Sequence, residues 1–109
     1  MRIGSQNKLA HYQCEYRELT EQTSMLQSQI APLQAQISNM QQYCNVNNGD
    51  RQAMASLRQT ISRLNSISSA IRRNTTRLAT LERQIANEQQ RIMCQQQKAQ
   101  ARLLGYRRY

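Results

Sequence analysis

The fold is decided by residues 9–44, which read LAHYQCEYRELTEQTSMLQSQIAPLQAQISNMQQYC. Apolar side chains recur through this stretch at alternating steps of three and four residues, and Thr23 is the one polar member of the series. The members are Leu9, Tyr12, Tyr16, Leu19, Thr23, Leu26, Ile30, Leu33, Ile37, Met40 and Cys44. These steps are the a/d pattern of a coiled coil, so we predict a first helix over about 5–44.

Pro32 falls inside this helix, where it removes one backbone hydrogen bond and crowds the preceding turn. The apolar series keeps its phase across the proline. Two interpretations follow: a local kink that the partner helix accommodates, or a hinge with a function of its own.

The next segment, 45–50, reads NVNNGD and is the only cluster of helix-breaking residues inside the chain. Asn and Gly accept left-handed backbone angles, and Asp50 is a good N-cap, so we predict a turn here and a second helix over about 51–104. A basic tail, 105–109, follows the second helix. Apolar residues recur in that helix every seven positions at Leu57, Leu64, Ile71, Leu78, Ile85, Ile92, Ala99 and Tyr106. The complementary position is weaker: Met54, Ile61, Ile67 or Ser68, Thr75, Leu81 or Glu82, Gln89 and Gln96.

The predicted fold is therefore all-α, a single antiparallel two-helix coiled-coil hairpin. Folding back at the turn pairs residue i with about residue 95 − i. The second helix is longer than the first, so its residues from about 87 onward overhang the first arm and keep an apolar stripe without a partner inside the chain.

Composition argues against an enzyme. Only 39% of the 109 residues are hydrophobic, Phe and Trp are absent, and the chain holds a single histidine. Glu15, Glu18 and Glu21 share one helix face, but a helical hairpin offers no cleft for acid–base chemistry, so we expect them to pair with arginines of the second helix. The wide spacing of the three cysteines predicts no zinc site and no disulfide, and we expect no cofactor.

The net charge is +9, and the segment 51–109 carries twelve basic residues against Glu82 and Glu88. Such a balance favours a negatively charged partner. The basic residues of the second helix look dispersed around it, so we expect no specific binding of nucleic acid. No apolar run is long enough for a membrane span or a signal peptide, which favours a cytoplasmic protein.

The best candidate for a binding surface is the C-terminal segment, since Arg and Tyr are enriched at interface hot spots. The alternative interpretation is a frayed basic tail that only aids solubility. The candidate residues are Ile92, Arg102, Leu103, Leu104, Tyr106, Arg107 and Arg108.

The chain resembles the FliJ/SctO family of type III secretion stalk proteins. The heptads of 9–44, the turn at 45–50 and the long arm 51–104 carry the resemblance, together with an arginine near the start of the chain. The segment 96–109, QQKAQARLLGYRRY, is similar to the basic, aromatic-bearing ends of the virulence-system members.

The resemblance implies a non-enzymatic central stalk at the cytoplasmic face of a secretion apparatus. Its open end, including Arg2 and Ile3 beside the C-terminal segment, would insert in the pore of a hexameric secretion ATPase. The hairpin tip, at Asn45, Asn47, Asn48, Gly49 and Asp50, would point toward an export-gate protein of the inner membrane. Secretion chaperones are further possible partners.

Two other interpretations stay open at this stage. The chain could be a generic coiled-coil assembly factor, scaffold or secretion chaperone that dimerises through its apolar seams. It could also be a helical hairpin that binds nucleic acid.

Overall fold

The computed structural model describes residues 5–47 and 50–105, and these segments contain α-helix and no strand. Three helices follow one another along the chain: α1 (Ser5–Ser28), α2 (Ile30–Val46) and α3 (Arg51–Leu103). The all-α prediction is confirmed, and long helices pack against each other. The second helix of the sequence analysis is a single uninterrupted helix of 53 residues.

The stretch expected as one helix over 5–44 consists of two helices, because the helical hydrogen bonding changes at Gln29. Pro32 has no N–H to donate to the Ser28 carbonyl, and its ring crowds that carbonyl. The Gln29 N–H instead donates to the Leu26 carbonyl at 3.1 Å, a tighter step of three residues. Regular bonding resumes when the Leu33 N–H donates to the Gln29 carbonyl at 3.2 Å. Because of Pro32, α1 therefore ends at Ser28, about one helical turn before the proline.

Asp50 caps the start of α3, as the sequence predicts. Its Oδ1 accepts hydrogen bonds from the backbone N–H groups of Gln52 and Ala53, at 3.1 and 3.2 Å. On the other side of the turn, the Asn47 N–H donates to the Tyr43 carbonyl at 2.9 Å and closes the end of α2. The Tyr43 hydroxyl also lies 3.4 Å from Asp50 Oδ2. One carboxylate thus satisfies two of the open N–H groups of a helix start.

Packing within the chain divides it into two units. Unit 1 combines Met1–Glu18 with Arg77–Tyr109, and unit 2 is Leu19–Thr76. In unit 1 the innermost side chain is Leu81, which is fully buried, and Glu88 is buried with 5% of its surface exposed. In unit 2 the buried side chains are Leu33, Ile67 and Thr23. Each unit therefore has a small interior that includes one polar side chain.

The buried face of α3 differs from the prediction at the less apolar of its two heptad positions. Ile67 and Leu81 are buried there as expected, but the expected Thr75 and Gln89 are exposed, and Glu88 is buried in place of Gln89. The buried residues Ile67, Leu81 and Glu88 are 14 and 7 residues apart, so the seven-residue spacing is kept. The inward position lies one residue before the predicted series 68, 75, 82 and 89.

Candidate functional site

The predicted binding surface lies at the end of α3, where the last turn is highly exposed. Leu103 and Leu104 are 87% and 67% exposed, Arg102 is exposed beside them, and Ile92 is half-buried. The helix closes at Gly105, whose φ of +73° is left-handed and whose N–H donates to the Arg102 carbonyl at 3.1 Å. The other predicted members of this surface, Arg2, Ile3, Tyr106, Arg107 and Arg108, lie outside the described residues.

The exposed part of α3 begins before this last turn. Every side chain from Met93 to Gln100 is exposed, whereas Glu88 is buried and Ile92 is half-buried. The uncovered stretch thus starts at Met93 rather than at residue 87. Met93, Leu103 and Leu104 are large apolar side chains in contact with solvent on this stretch. A surface of this kind is typical of a binding site for another macromolecule.

The predicted hairpin tip has one clear structural role and one unexpected feature. Asp50 is the N-cap of α3, and Asn45 and Asn47 are exposed, whereas Asn48 and Gly49 lie outside the described residues. Val46 is 81% exposed beside them. An apolar residue inside the polar run NVNNGD is the signal that could have marked Val46 as a candidate contact.

Unit 1 joins its two arms through charged and polar side chains. The Arg77 guanidinium donates from Nε to Glu15 Oε2 at 2.8 Å and from Nη2 to Glu15 Oε1 at 2.9 Å. These two bonds lower the pKa of Glu15 and raise the pKa of Arg77. The Tyr16 hydroxyl donates to Glu82 Oε2 at 3.0 Å, which raises the pKa of Tyr16. The expectation that the α1 glutamates pair with arginines of the second helix is confirmed for Glu15, whose role is structural.

Among the described residues, three buried side-chain oxygen atoms have no hydrogen-bond partner: Thr23 Oγ1, Gln84 Oε1 and Glu88 Oε1. The other oxygen of Glu88, Oε2, lies 3.5 Å from Arg91 Nη1, a long contact to a half-exposed side chain. Gln84 and Glu88 are one turn apart on α3, so two unsatisfied acceptors stand close together in unit 1. An unsatisfied buried acceptor reduces stability.

Most basic residues of α3 are exposed, and four of the five in unit 2 share one side of the helix. In unit 2 the exposed basic residues include Arg51, Arg58, Arg72 and Arg73. Since each residue rotates by about 100° around the helix axis, these four positions fall within an arc about 100° wide. In unit 1 the corresponding residues are Arg83, Arg91, Lys98 and Arg102, which are also exposed. Arg63 is exposed on a different side of α3, and Arg77 is paired with Glu15, so part of the dispersal expected from the sequence remains.

Neither clusters of metal ligands nor paired cysteines occur among the described side chains. Over 7–47 and 50–105, no group of three or more His, Cys, Asp or Glu side chains could hold a metal ion. Cys14, Cys44 and Cys94 are free, and their helices do not bring any two of them into a disulfide. None of the described helices is long and apolar enough to cross a membrane.

Comparison with models of protein families, with characterised proteins and with solved structures gives no match to this chain.

Proposed function

We propose that this protein is a non-catalytic helical docking protein that binds another protein through the end of α3. The observation that carries the proposal is the exposure of Leu103 and Leu104 beside Arg102, where α3 ends. Apolar surface gains about 25 cal/mol for each Å² removed from water, so a partner that covers these leucines is favoured. Arginine adds a directed charge-assisted contact at the same place.

The proposed architecture is an antiparallel coiled-coil hairpin with an overhanging α3. Support comes from contacts inside each unit. The expected partner of residue i is about 95 − i, and the pairs Glu15–Arg77 and Tyr16–Glu82 each fall within three residues of it. In unit 2, Leu33 and Arg63 line one groove, which also agrees with that pairing.

In its finer form, the proposal is a central stalk of a type III secretion ATPase at the cytoplasmic face of the apparatus. The resemblance to FliJ/SctO proteins motivates it, and the long α3 with an uncovered end is compatible with it. The end of α3 would enter the pore of the hexameric ATPase, and the tip near Asp50 would face the export-gate protein. The stalk would change ATPase turnover without hydrolysing ATP itself.

The experiment compares two substitutions of equally exposed apolar residues. Leu104, directly after α3, and Met25 in α1 are both 67% exposed. Leu104→Gln, alone or with Leu103→Gln, should lower co-sedimentation with the secretion ATPase and lower the stimulation of its turnover. Met25→Gln is the matched control and should leave both unchanged.

A deletion of residues 102–109 extends the same test. It should abolish stimulation while the helical circular dichroism signal and the melting temperature stay near those of the full chain. Full stimulation by the shortened chain would remove the end of α3 from the docking site. Loss of helicity together with binding would show that the segment is structural.

A second candidate function, a coiled-coil scaffold that associates with itself, is favoured by the exposed apolar side chains of α2. Val46 and Tyr43 are 81% and 51% exposed there. Sedimentation equilibrium separates the two proposals, because a scaffold of this type forms a dimer on its own and a Val46→Gln variant would weaken it.

A further inference from the structure

We propose that the outward face of α3 in unit 2 binds the phosphate backbone of a nucleic acid without reading the base sequence. We call this surface the arginine face and define it by Arg51, Arg58, Arg72 and Arg73. All four side chains are exposed. The ion pairs found among the described residues involve Arg77 and Arg91, so none of the four has a carboxylate partner there.

The sequence around the arginine face leaves its charge uncancelled. No acidic residue occurs between Asp50 and Glu82, and α2 contains no charged residue. Unit 2 holds five arginines against Glu21 and Asp50, a net charge of +3. The carboxylate of Asp50 accepts two backbone hydrogen bonds at the start of α3. The positive potential of this face is therefore directed at solvent and at any anion that approaches.

Between Arg58 and Arg72 the residues on this face are short and polar: Ser62, Asn65 and Ser69. An open depression of about 340 Å³ is lined by Asn65, Ser66, Ser69 and Arg73. Arg72 Nη2 donates to Ser69 Oγ at 3.1 Å, which holds this guanidinium beside the depression. Arginine has five N–H donors, so four remain for a ligand. Hydroxyl, amide and guanidinium groups together make a donor-rich surface with room for a phosphate group.

This composition favours a phosphate backbone over a protein or a membrane. Protein interfaces have an apolar or aromatic centre, and membrane-surface helices insert apolar side chains. Met54, at one edge, is the one large apolar side chain within the arc of the arginine face. Contacts to phosphates come instead from Arg, Ser, Thr and Asn. The 22 steps from Arg51 to Arg73 span about 33 Å, close to one turn of a DNA duplex.

The test uses the full chain and a fluorescent DNA duplex of about 30 base pairs, with affinity measured by anisotropy over a range of salt concentrations. Arg72→Gln removes one phosphate contact in this proposal. It should lower the slope of log K against log salt by about 0.9 and weaken binding about eight-fold at 0.1 M salt. Two duplexes of unrelated sequence should bind equally.

Arg63→Gln is the matched control, because Arg63 is exposed in the same unit but lies about 130° around α3 from the centre of the arginine face and about 80° from Arg73. It removes the same charge and should leave the slope unchanged. Equal effects of the two substitutions would overturn the proposal in favour of diffuse attraction. Tighter binding to polyglutamate than to the duplex would also overturn it, in favour of an acidic protein partner.

The DNA-binding proposal and the docking proposal can be tested independently of each other. The deletion of residues 102–109 leaves all four arginines of the face in place, and Arg72→Gln leaves Leu103 and Leu104 in place. Failure of DNA binding therefore says nothing against docking through the end of α3, and failure of docking says nothing against the arginine face.

Discussion

Units 1 and 2 differ in what their acidic residues bind. In unit 1, Glu15 and Glu82 bind side chains of the other arm, and Glu88 is buried. In unit 2, five arginines have no carboxylate partner in the described part of the chain, and the interior is formed by Leu33, Ile67 and Thr23. The same helix, α3, supplies one side of each unit. Unit 1 still holds ten basic residues against four acidic ones, a net charge of +6, so the two units differ in that only the unit 2 part of α3 lacks carboxylates.

The largest expected effect concerns the apolar interior of unit 1. Leu81 is fully buried, so Leu81→Ala should lower the free energy of unfolding by about 2–5 kcal/mol. Thermal and urea unfolding measure the loss, with exposed Met93→Ala as a control that should change it by less than about 0.5 kcal/mol. A similar small loss for Leu81→Ala would mean that polar contacts hold this unit together.

The buried acceptors predict the next effect, a gain in stability. Glu88→Leu removes an unsatisfied carboxylate oxygen and should stabilise the protein by about 1–3 kcal/mol. Thr23→Val makes the equivalent change in unit 2 and should stabilise it by about 1 kcal/mol. Gln89→Leu, at the exposed neighbouring position, is the control for added apolar surface and should leave urea unfolding unchanged. A destabilised Glu88→Leu variant would show that the carboxylate has a partner in solution.

At the turn, Asp50→Ala removes the acceptor of two backbone N–H groups at the start of α3. The expected loss is about 1 kcal/mol, the usual cost of removing an N-cap side chain. Asp50→Asn retains a capping oxygen and should recover most of that loss in a urea titration. If both variants lose the same stability, the negative charge of Asp50 matters more than its hydrogen bonds.

The smallest effect is the pH dependence of the Glu15–Arg77 pair. Because the pKa of Glu15 is lowered in the folded state, its contribution to stability is present above the unfolded value of about 4.5. That contribution is lost as the pH falls through the lower folded value. In the Arg77→Gln variant, the pKa of Glu15 measured by NMR titration should be higher than in the unmodified protein. The melting temperature of that variant should also depend less on pH in this range. An unchanged Glu15 titration would show that the pair is open in solution.

The sequence predicts the helical class, the Asp50 cap and the pairing of Glu15 with an arginine, because each depends on local pattern or on charge. It does not predict the inward position of Glu88 or the common side of Arg51, Arg58 and Arg72. Glu88 falls on the same seven-residue repeat as Ile67 and Leu81, but a charged side chain gives no apolar signal there. The common side of the arginines follows from counting 100° per residue along an uninterrupted helix. The exposure of Leu103 and Leu104 is expected from the overhang. No residue pattern identifies the partner that would cover them.

The interruption at Gln29 has a consequence for how the chain opens. Helix formation propagates from residue to residue through backbone hydrogen bonds, and the missing donor at Pro32 stops that propagation between α1 and α2. Amide hydrogens of α1 can therefore exchange with solvent in an opening event that leaves α2 protected. α3 has no such boundary over its 53 residues. Hydrogen exchange should resolve two protection levels in the first arm, with the step at Gln29.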